Sequence, residues 1–316
     1  MRVGYFLSSE EFTPRQLLEQ AAMAEEAGFA SLWISDHYHP WNDAQGQSPF
    51  VWSMIGAVAQ ACRLPVTTAV TCPTVRVHPA VIAQAAATSA VLLDGRFVLG
   101  VGSGEALNEH ILGDAWPPAG ERLEMLEEAV EVKRKLWEGG FVDHRGRHYT
   151  VANARIYTLP DTPPPVYVSG FGPKATDLAA RIGDGFMTVQ PDAEAVARFR
   201  ERGGGAKPAQ GGYKVCWAPT AAEAVRVAHE RWPNALLPGE LGQVLPSPAH
   251  FEQASTLVTP EAVAGQIVCG PDVEEHLRAF EEYAKAGFDE VYVNNIGPYQ
   301  REFFEAYRRD ILPRVA

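Results

Sequence analysis

Eight short apolar runs recur along this chain with helix-length segments between them, and that alternation limits the architectures open to it. The runs are Val3 to Leu7, Leu32 to Asp36, Val66 to Val70, Phe97 to Val101, Val166 to Ser169, Gly185 to Val189, Tyr213 to Trp217 and Glu290 to Asn294. The segments between them read as helices. Pro14 to Ala27 has proline in its first turn and Gly28 just past its end, and Glu121 to Glu138 puts Leu123, Leu126, Val130 and Trp137 on one face. Eight strand and helix units predict an α/β fold, a (β/α)8 barrel with insertions at the C-terminal rim of the strands. A doubly wound sheet more often stops at five to seven strands. A chain of 316 residues is long for one domain, but a barrel of this kind fills that length, so residues 1–316 are read as a single unit.

Three connections are long and rich in polar residues, glycine or proline: His37 to Pro49, Ser103 to Ala119 and Trp232 to Pro260. Long connections without structure of their own tend to be functional, and the first two leave strands two and four at the expected catalytic rim. Gly203 to Gly212 reads as a surface loop. The net charge of -12, with no cluster of Lys or Arg, repels a phosphate backbone and excludes nucleic acid, leaving a small molecule as the expected partner. The N-terminus turns polar at Ser8, too early for a secretion signal, and the apolar stretch Ala80 to Leu93 is broken by Gln84, Thr88 and Ser89. A cytosolic protein without a membrane segment is expected. Cys62, Cys72, Cys216 and Cys269 are scattered without metal spacing and read as reduced core thiols.

Chemistry-bearing residues gather directly after strands. Ser31-Leu32-Trp33-Ile34 reads as a buried strand, and Asp36, His37, His39 and Trp41 follow at its carboxyl end, where parallel sheets place their active sites. His37 suits general acid/base work near neutral pH; the bland alternative is a histidine pair satisfied at the rim. His37 and His39 have the spacing of a metal pair, but no further His or Cys cluster completes a ligand set, so no metal is expected. After the fourth run come Gly100, Gly102 and Gly104 at alternate positions, which let backbone approach a flat or anionic ligand, with Glu105 placed to meet His37. A tight strand-exit turn with a solvated glutamate explains the same residues, and the spacing is not that of a dinucleotide fingerprint. Gly170-Phe171-Gly172-Pro173 opens a helix after the fifth run; its backbone N–H groups suit a phosphate, or form a plain turn.

Taken together, Ser35-Asp36-His37-Tyr38-His39-Pro40-Trp41, Val101-Gly102-Ser103-Gly104-Glu105-Ala106-Leu107-Asn108-Glu109 and Gly183-Asp184-Gly185-Phe186 resemble the luciferase-like superfamily. Within it the chain is similar to the glucose-6-phosphate dehydrogenase group that uses the deazaflavin coenzyme F420. The resemblance runs nearly end to end, through Ser8-Ser9-Glu10-Glu11-Phe12, Thr71-Cys72-Pro73-Thr74, His78 to Gln84 and Val166-Tyr167-Val168. It implies a barrel with the 8-hydroxy-5-deazaflavin across the carboxyl ends of the strands. Asp36 would contact the ring system, and a bulge at Ala69 and Val70, often with a non-prolyl cis bond, would support it. Ser103, Gly104, Glu105 and Asn108 would continue the cofactor wall, and Gly170, Phe171 and Gly172 would meet the phosphate-bearing tail. The resemblance makes His37 the active-site histidine, Trp41 an indole over the substrate, Glu105 an acid near the deazaflavin N1 and Glu10 an acid facing the substrate. It also implies a homodimer.

The implied reaction moves hydride from a hydroxyl-bearing carbon of a sugar, sugar phosphate or secondary alcohol to the deazaflavin C5, with His37 accepting the hydroxyl proton. The same pocket would serve an F420H2-dependent reductase of a ketone, enone or imine, and an FMN-dependent monooxygenase of the luciferase type is the other enzymatic reading. A barrel that only binds ligands is the non-catalytic one. One departure bears on the substrate. The glucose-6-phosphate enzymes grip phosphate with two lysines and an arginine, and the comparable stretches here read Val189-Gln190-Pro191-Asp192, Phe251-Glu252-Gln253-Ala254 and Val263-Ala264-Gly265-Gln266. Gln253 takes the place of one lysine as a substrate contact. Each lost charge-assisted contact is worth roughly 1.5–3 kcal/mol. Arg76, Lys174 or Lys207 would compensate only if the loops carried them in.

Overall fold

The computed structural model describes residues 1–315. Eleven strands form in chain order: β1 Arg2–Leu7, β2 Leu32–Ile34, β3 Val66–Thr68, β4 Phe97–Val101, β5 Val142–Arg145, β6 Thr150–Ala154, β7 Val166–Ser169, β8 Gly185–Thr188, β9 Ala209–Cys216, β10 Val268–Cys269 and β11 Glu290–Asn295. Strands β1, β2, β3, β4, β7, β8, β9 and β11 pair in parallel, and β9 joins both β8 and β11, so the ring closes on itself. This is the expected (β/α)8 barrel. Helices separate successive strands and cover the outside, as right-handed parallel crossovers require. The first, Pro14–Ala27, has the predicted limits: Thr13 and Gln16 form a reciprocal capping box, and Gly28 ends the helix at φ 97°.

Aromatic rings fill the barrel. Trp33, Tyr167, Met187 and Tyr292 form an inner cluster, with Trp33 and Tyr292 stacked 4.4 Å apart. Glycine faces each ring. A Cβ at Gly4 would strike Tyr292, one at Gly185 would strike Tyr167, and one at Gly212 would strike Trp33. This corrects the reading of Gly203 to Gly212 as a surface loop: Ala209 to Gly212 open β9. Gly211 and Gly212 stand in a buried strand because Tyr283 and Trp33 occupy the space a side chain would need.

Two further features were absent from the sequence reading. An antiparallel hairpin, β5 with β6, follows the helix Ala119–Trp137. The long connections also carry short helices, Ala106–Glu109 in one and Pro233–Leu236, Leu241–Val244 and Pro248–Ser255 in another. The four cysteines are free and buried. No helix among the described residues is long and apolar enough to cross a membrane.

Lys133, on Ala119–Trp137, is fully buried and its Nζ has no hydrogen-bond partner. Burial pushes its pKa down to about 7. An unfolded lysine holds its proton up to about 10.4, so folding sheds a proton between the two values and stability rises with pH across that window. Lys133→Met is expected to raise the unfolding free energy at neutral pH by at least about 1 kcal/mol and to flatten that pH dependence, read by denaturant titration at several pH values.

Candidate active site

The C-terminal ends of β1 and β2 bring Glu10 and His37 together. Glu10 is buried, and its Oε2 accepts from Ser8 Oγ at 2.9 Å and Ser35 Oγ at 2.7 Å. Its Oε1 lies 3.3 Å from His37 Nε2. Burial alone would raise the Glu10 carboxyl, but the facing imidazole and the two serine hydroxyls outweigh it and hold the pKa below the ordinary value. Glu10 is therefore a carboxylate in a dry place, kept ionised by its neighbours.

His37 has a partner for each protonation state. Its Nδ1 lies 3.1 Å from the His39 carbonyl, an acceptor, and 3.0 Å from Asn108 Nδ2, a donor. With Nδ1–H donated to His39, Nε2 keeps a lone pair. With both nitrogens protonated, Nε2–H meets Glu10. Glu105 Oε1 stands 3.7 Å from the same Nε2.

Asn108 is the bracket for this geometry. Its Oδ1 accepts from the backbone N–H of Tyr38 at 2.8 Å and His39 at 2.9 Å, which leaves Nδ2 to donate to Glu105, with His37 Nδ1 3.0 Å away. The short helix Ala106–Glu109 delivers it, starting from Glu105 as its N-cap, with Gly104 just before at φ 77°. A Cβ on Gly104 would collide with Cys72, so the turn takes only glycine twice over.

Asp36 is buried beside this pair, accepting from Thr71 Oγ1 at 2.9 Å and Arg76 Nη2 at 2.8 Å. Arg76 also faces Glu109 through its Nε, 3.4 Å from Oε1, and its backbone N–H donates to Oε2 at 2.8 Å. Burial pushes Glu109 up to about 7 despite that help. The Ala69–Val70 peptide is cis, as the resemblance implied. Residues 69 and 70 leave the strand, and Thr71 resumes pairing beside Val101. Gly102 lies against Val70, where a Cβ would clash with its side chain. Across the mouth, Gly170 is held by Met187 O, Phe171 is exposed, and Gly172 starts the helix Pro173–Ile182 with open space at its Cβ position and no side-chain cap.

These features fit a flat cofactor with an anionic tail: a half-buried apolar bulge for a ring, a glycine-lined wall, and uncapped helix N–H groups at one end. The structure brings His37, Glu10, Glu105, Trp41, Asp36 and Asn108 into one cluster, with Trp41 4.9 Å from His37, ring to ring. It does not bring in Gln253, which is exposed on the helix Pro248–Ser255. Phe251 holds the inward position instead, buried edge-to-face against Trp41 at 5.0 Å, because two residues along a helix turn the side chain to another face.

None of the three cations considered as substitutes is free to meet a substrate phosphate. Arg76 is paired as described, Lys207 donates to Ala180 O at 3.0 Å, and Lys174 is exposed on a first helical turn. A different cation is present. Lys214 of β9 places its Nζ 4.4 Å from the Trp232 ring, whose Nε1 donates to Glu11 Oε2 at 2.8 Å. The sequence reading passed over this lysine within the run Tyr213 to Trp217, whose other residues are apolar or aromatic.

A model of the luciferase-like monooxygenase family matches residues 1–290. The chain belongs to this family. A glucose-6-phosphate dehydrogenase from Beutenbergia cavernae, described as F420-dependent, is 36% identical over 100% of this chain and 97% of the relative. A solved F420-dependent secondary alcohol dehydrogenase, in complex with an F420-acetone adduct, superposes with a TM-score of 0.93 at 32% identity, covering 100% and 99% of the two chains. The F420-dependent tetrahydromethanopterin reductase of Methanopyrus kandleri, 19% identical over both full lengths with a TM-score of 0.78, shares the fold.

The raised Glu109 gives the site a pH signature. An unfolded glutamate loses its proton near 4.3 and the folded one near 7, so the folded state holds the extra proton between them and stability falls as pH rises through that window. Glu109→Gln is expected to abolish the fall, measured as melting temperature from pH 4.5 to pH 7.5, since its amide oxygen can still accept from Arg76 N–H.

Proposed function

We propose that this chain is an F420-dependent dehydrogenase that oxidises the carbinol carbon of an uncharged alcohol or sugar. The observation that carries the reading is the Glu10–His37 pair, 3.3 Å apart, at the mouth of a barrel whose full-length relatives above 30% identity include F420-dependent glucose-6-phosphate and secondary alcohol dehydrogenases. When bound, the deazaflavin supplies a two-electron hydride acceptor at its C5. Ala69, Val70, Ser103 and Gly104 would hold its ring, Asp36 its polar edge, and Gly170, Phe171 and Gly172 its tail.

His37, with Nδ1–H on the His39 carbonyl, takes the hydroxyl proton at Nε2. The imidazolium formed has both N–H groups paired, one with His39 O and one with Glu10 Oε1, so charge develops where a carboxylate already waits. Glu105, tied to Asn108 and 3.7 Å from His37 Nε2, would be the acid that faces the deazaflavin. Trp41, backed by Phe251, covers the substrate and keeps water off the reacting carbon.

The absence of a cation at the three family phosphate positions favours an uncharged substrate over glucose 6-phosphate. Gln190, Gln253 and Gln266 are all exposed, and a dianion placed near Glu10 and Glu11 would meet carboxylates. The four unpaired cysteines are consistent with a cytosolic enzyme.

We also propose a homodimer. Helices Val51–Ala61 and Pro79–Leu92 contain no charged residue although both lie on the outside of the barrel, and Phe50, Val81, Val91 and Leu92 are exposed. Val91→Glu is expected to convert the dimer to a monomer in light scattering after size exclusion, and a wild-type monomer at micromolar concentration would refute the assignment.

Anaerobic mixing with oxidised F420 tests the activity. Loss of its visible absorbance is expected with secondary alcohols or free sugars, and His37→Ala is expected to cut kcat by about 100-fold or more while F420 still binds. Turnover confined to phosphosugars would overturn the uncharged-substrate reading. Oxidation of F420H2 by a ketone, enone or imine, with no alcohol oxidised, would assign the reductase direction.

A further inference from the structure

We infer that Lys214 and Asn294 form a second polar subsite, built for a hydroxyl other than the one oxidised, and that the preferred substrates are polyols. The inference rests on the alcohol-dehydrogenase reading and names its substrate class. Strand parity sets both side chains inside the barrel. In β9, Gln210 bonds Trp33 Nε1 and Gly212 faces the Trp33 ring, so Lys214, two residues on, points the same way. In β11, Glu290 and Tyr292 face inward, both accepting from Gln210 Nε2, with Tyr292 stacked on Trp33, and Asn294 follows them. Lys214 and Asn294 are register partners on adjacent strands.

Both residues have hydrogen-bonding capacity that the protein leaves open. Asn294 is 1% exposed and its Nδ2 donates to Phe6 O at 3.1 Å, which fixes the amide; its Oδ1, buried, has no partner. A buried acceptor without a donor is costly unless something brings one. The Lys214 ammonium, half-buried over Trp232, has no carboxylate within salt-bridge distance and no hydrogen-bond acceptor among the described residues.

The location links this pair to the reacting centre. Asn294 is tied to Phe6, two residues before Ser8, whose hydroxyl holds Glu10. Trp232, under Lys214, shares an apolar cluster with Trp41, the ring against His37. The chemistry of the pair then selects the group. A hydroxyl accepts from the ammonium and donates to the amide oxygen. A carboxylate or phosphate satisfies only the ammonium and brings its charge toward Asn294 Oδ1, Glu10 and Glu11, while an ether or ketone also leaves the amide oxygen bare.

Binding without turnover tests this. Trp232 borders the subsite, and Trp41 packs in the same apolar cluster, so intrinsic fluorescence is titrated with glycerol, propylene glycol and isopropanol on the wild type, Lys214→Met and Asn294→Ser, with circular dichroism confirming each fold. The wild type is expected to bind at least one polyol about tenfold more tightly than isopropanol, with the preference lost in both variants. Equal affinity for all three alcohols in the wild type, or a preference that survives in either folded variant, would overturn the subsite. A wild type that prefers polyols yet reduces no F420 with them would refute the dehydrogenase reading and leave the subsite standing.

Discussion

Trp33 and Tyr292 stack 4.4 Å apart in the middle of the barrel, and glycines stand wherever a Cβ would strike these rings. The pairing of large rings with absent side chains sets the radius of the ring of strands and gives its interior the density of a packed core. Everything above depends on that floor. Because all eight strands run the same way, their carboxyl ends meet in one circle, and the loops leaving them are held within reach of one another.

On that floor the chain assembles groups that would not stay together in water. Glu10 is ionised although buried, because two serine hydroxyls and an imidazole surround it. Asn108 fixes the histidine loop through two backbone N–H groups and orients Glu105 with its other end. Asp36, Arg76 and Glu109 form a second charged set beside the first, with a single guanidinium between two carboxylates. Burial pushes Glu109 up to about 7, and the one guanidinium it shares with Asp36 does not offset that. On the same rim Lys214 faces Glu10 and Glu11, and Arg231 also faces Glu11.

Much of this was legible in the linear chain. The eight apolar runs each became a barrel strand, and the helix from Pro14 to Ala27 kept its limits because proline, a capping box and a left-handed glycine are local signals. His37 and Glu105 announced themselves by standing just past apolar runs. What misled was composition read without its surroundings. Gly211 and Gly212 looked like a flexible loop because their justification, the rings of Tyr283 and Trp33, lies far away in sequence. Gln253 looked like a substrate contact by alignment, while the turn of its helix presents Phe251 to Trp41 and leaves the glutamine in solvent.

By itself the sequence determined the fold class and the rim that carries chemistry, since strand length, period and end signals are properties of neighbouring residues, and its motifs after strands two and four carried the family resemblance. Only the tertiary structure decided which side chains share a charge. Glu10 with His37, Asn108 with Tyr38 and His39, Arg76 with Asp36 and Glu109, and Lys214 beside Asn294 are pairings between different strands and loops. Their hydrogen bonds and electrostatic shifts depend on distances of a few ångströms and on exclusion of water, and both arise only when the barrel closes.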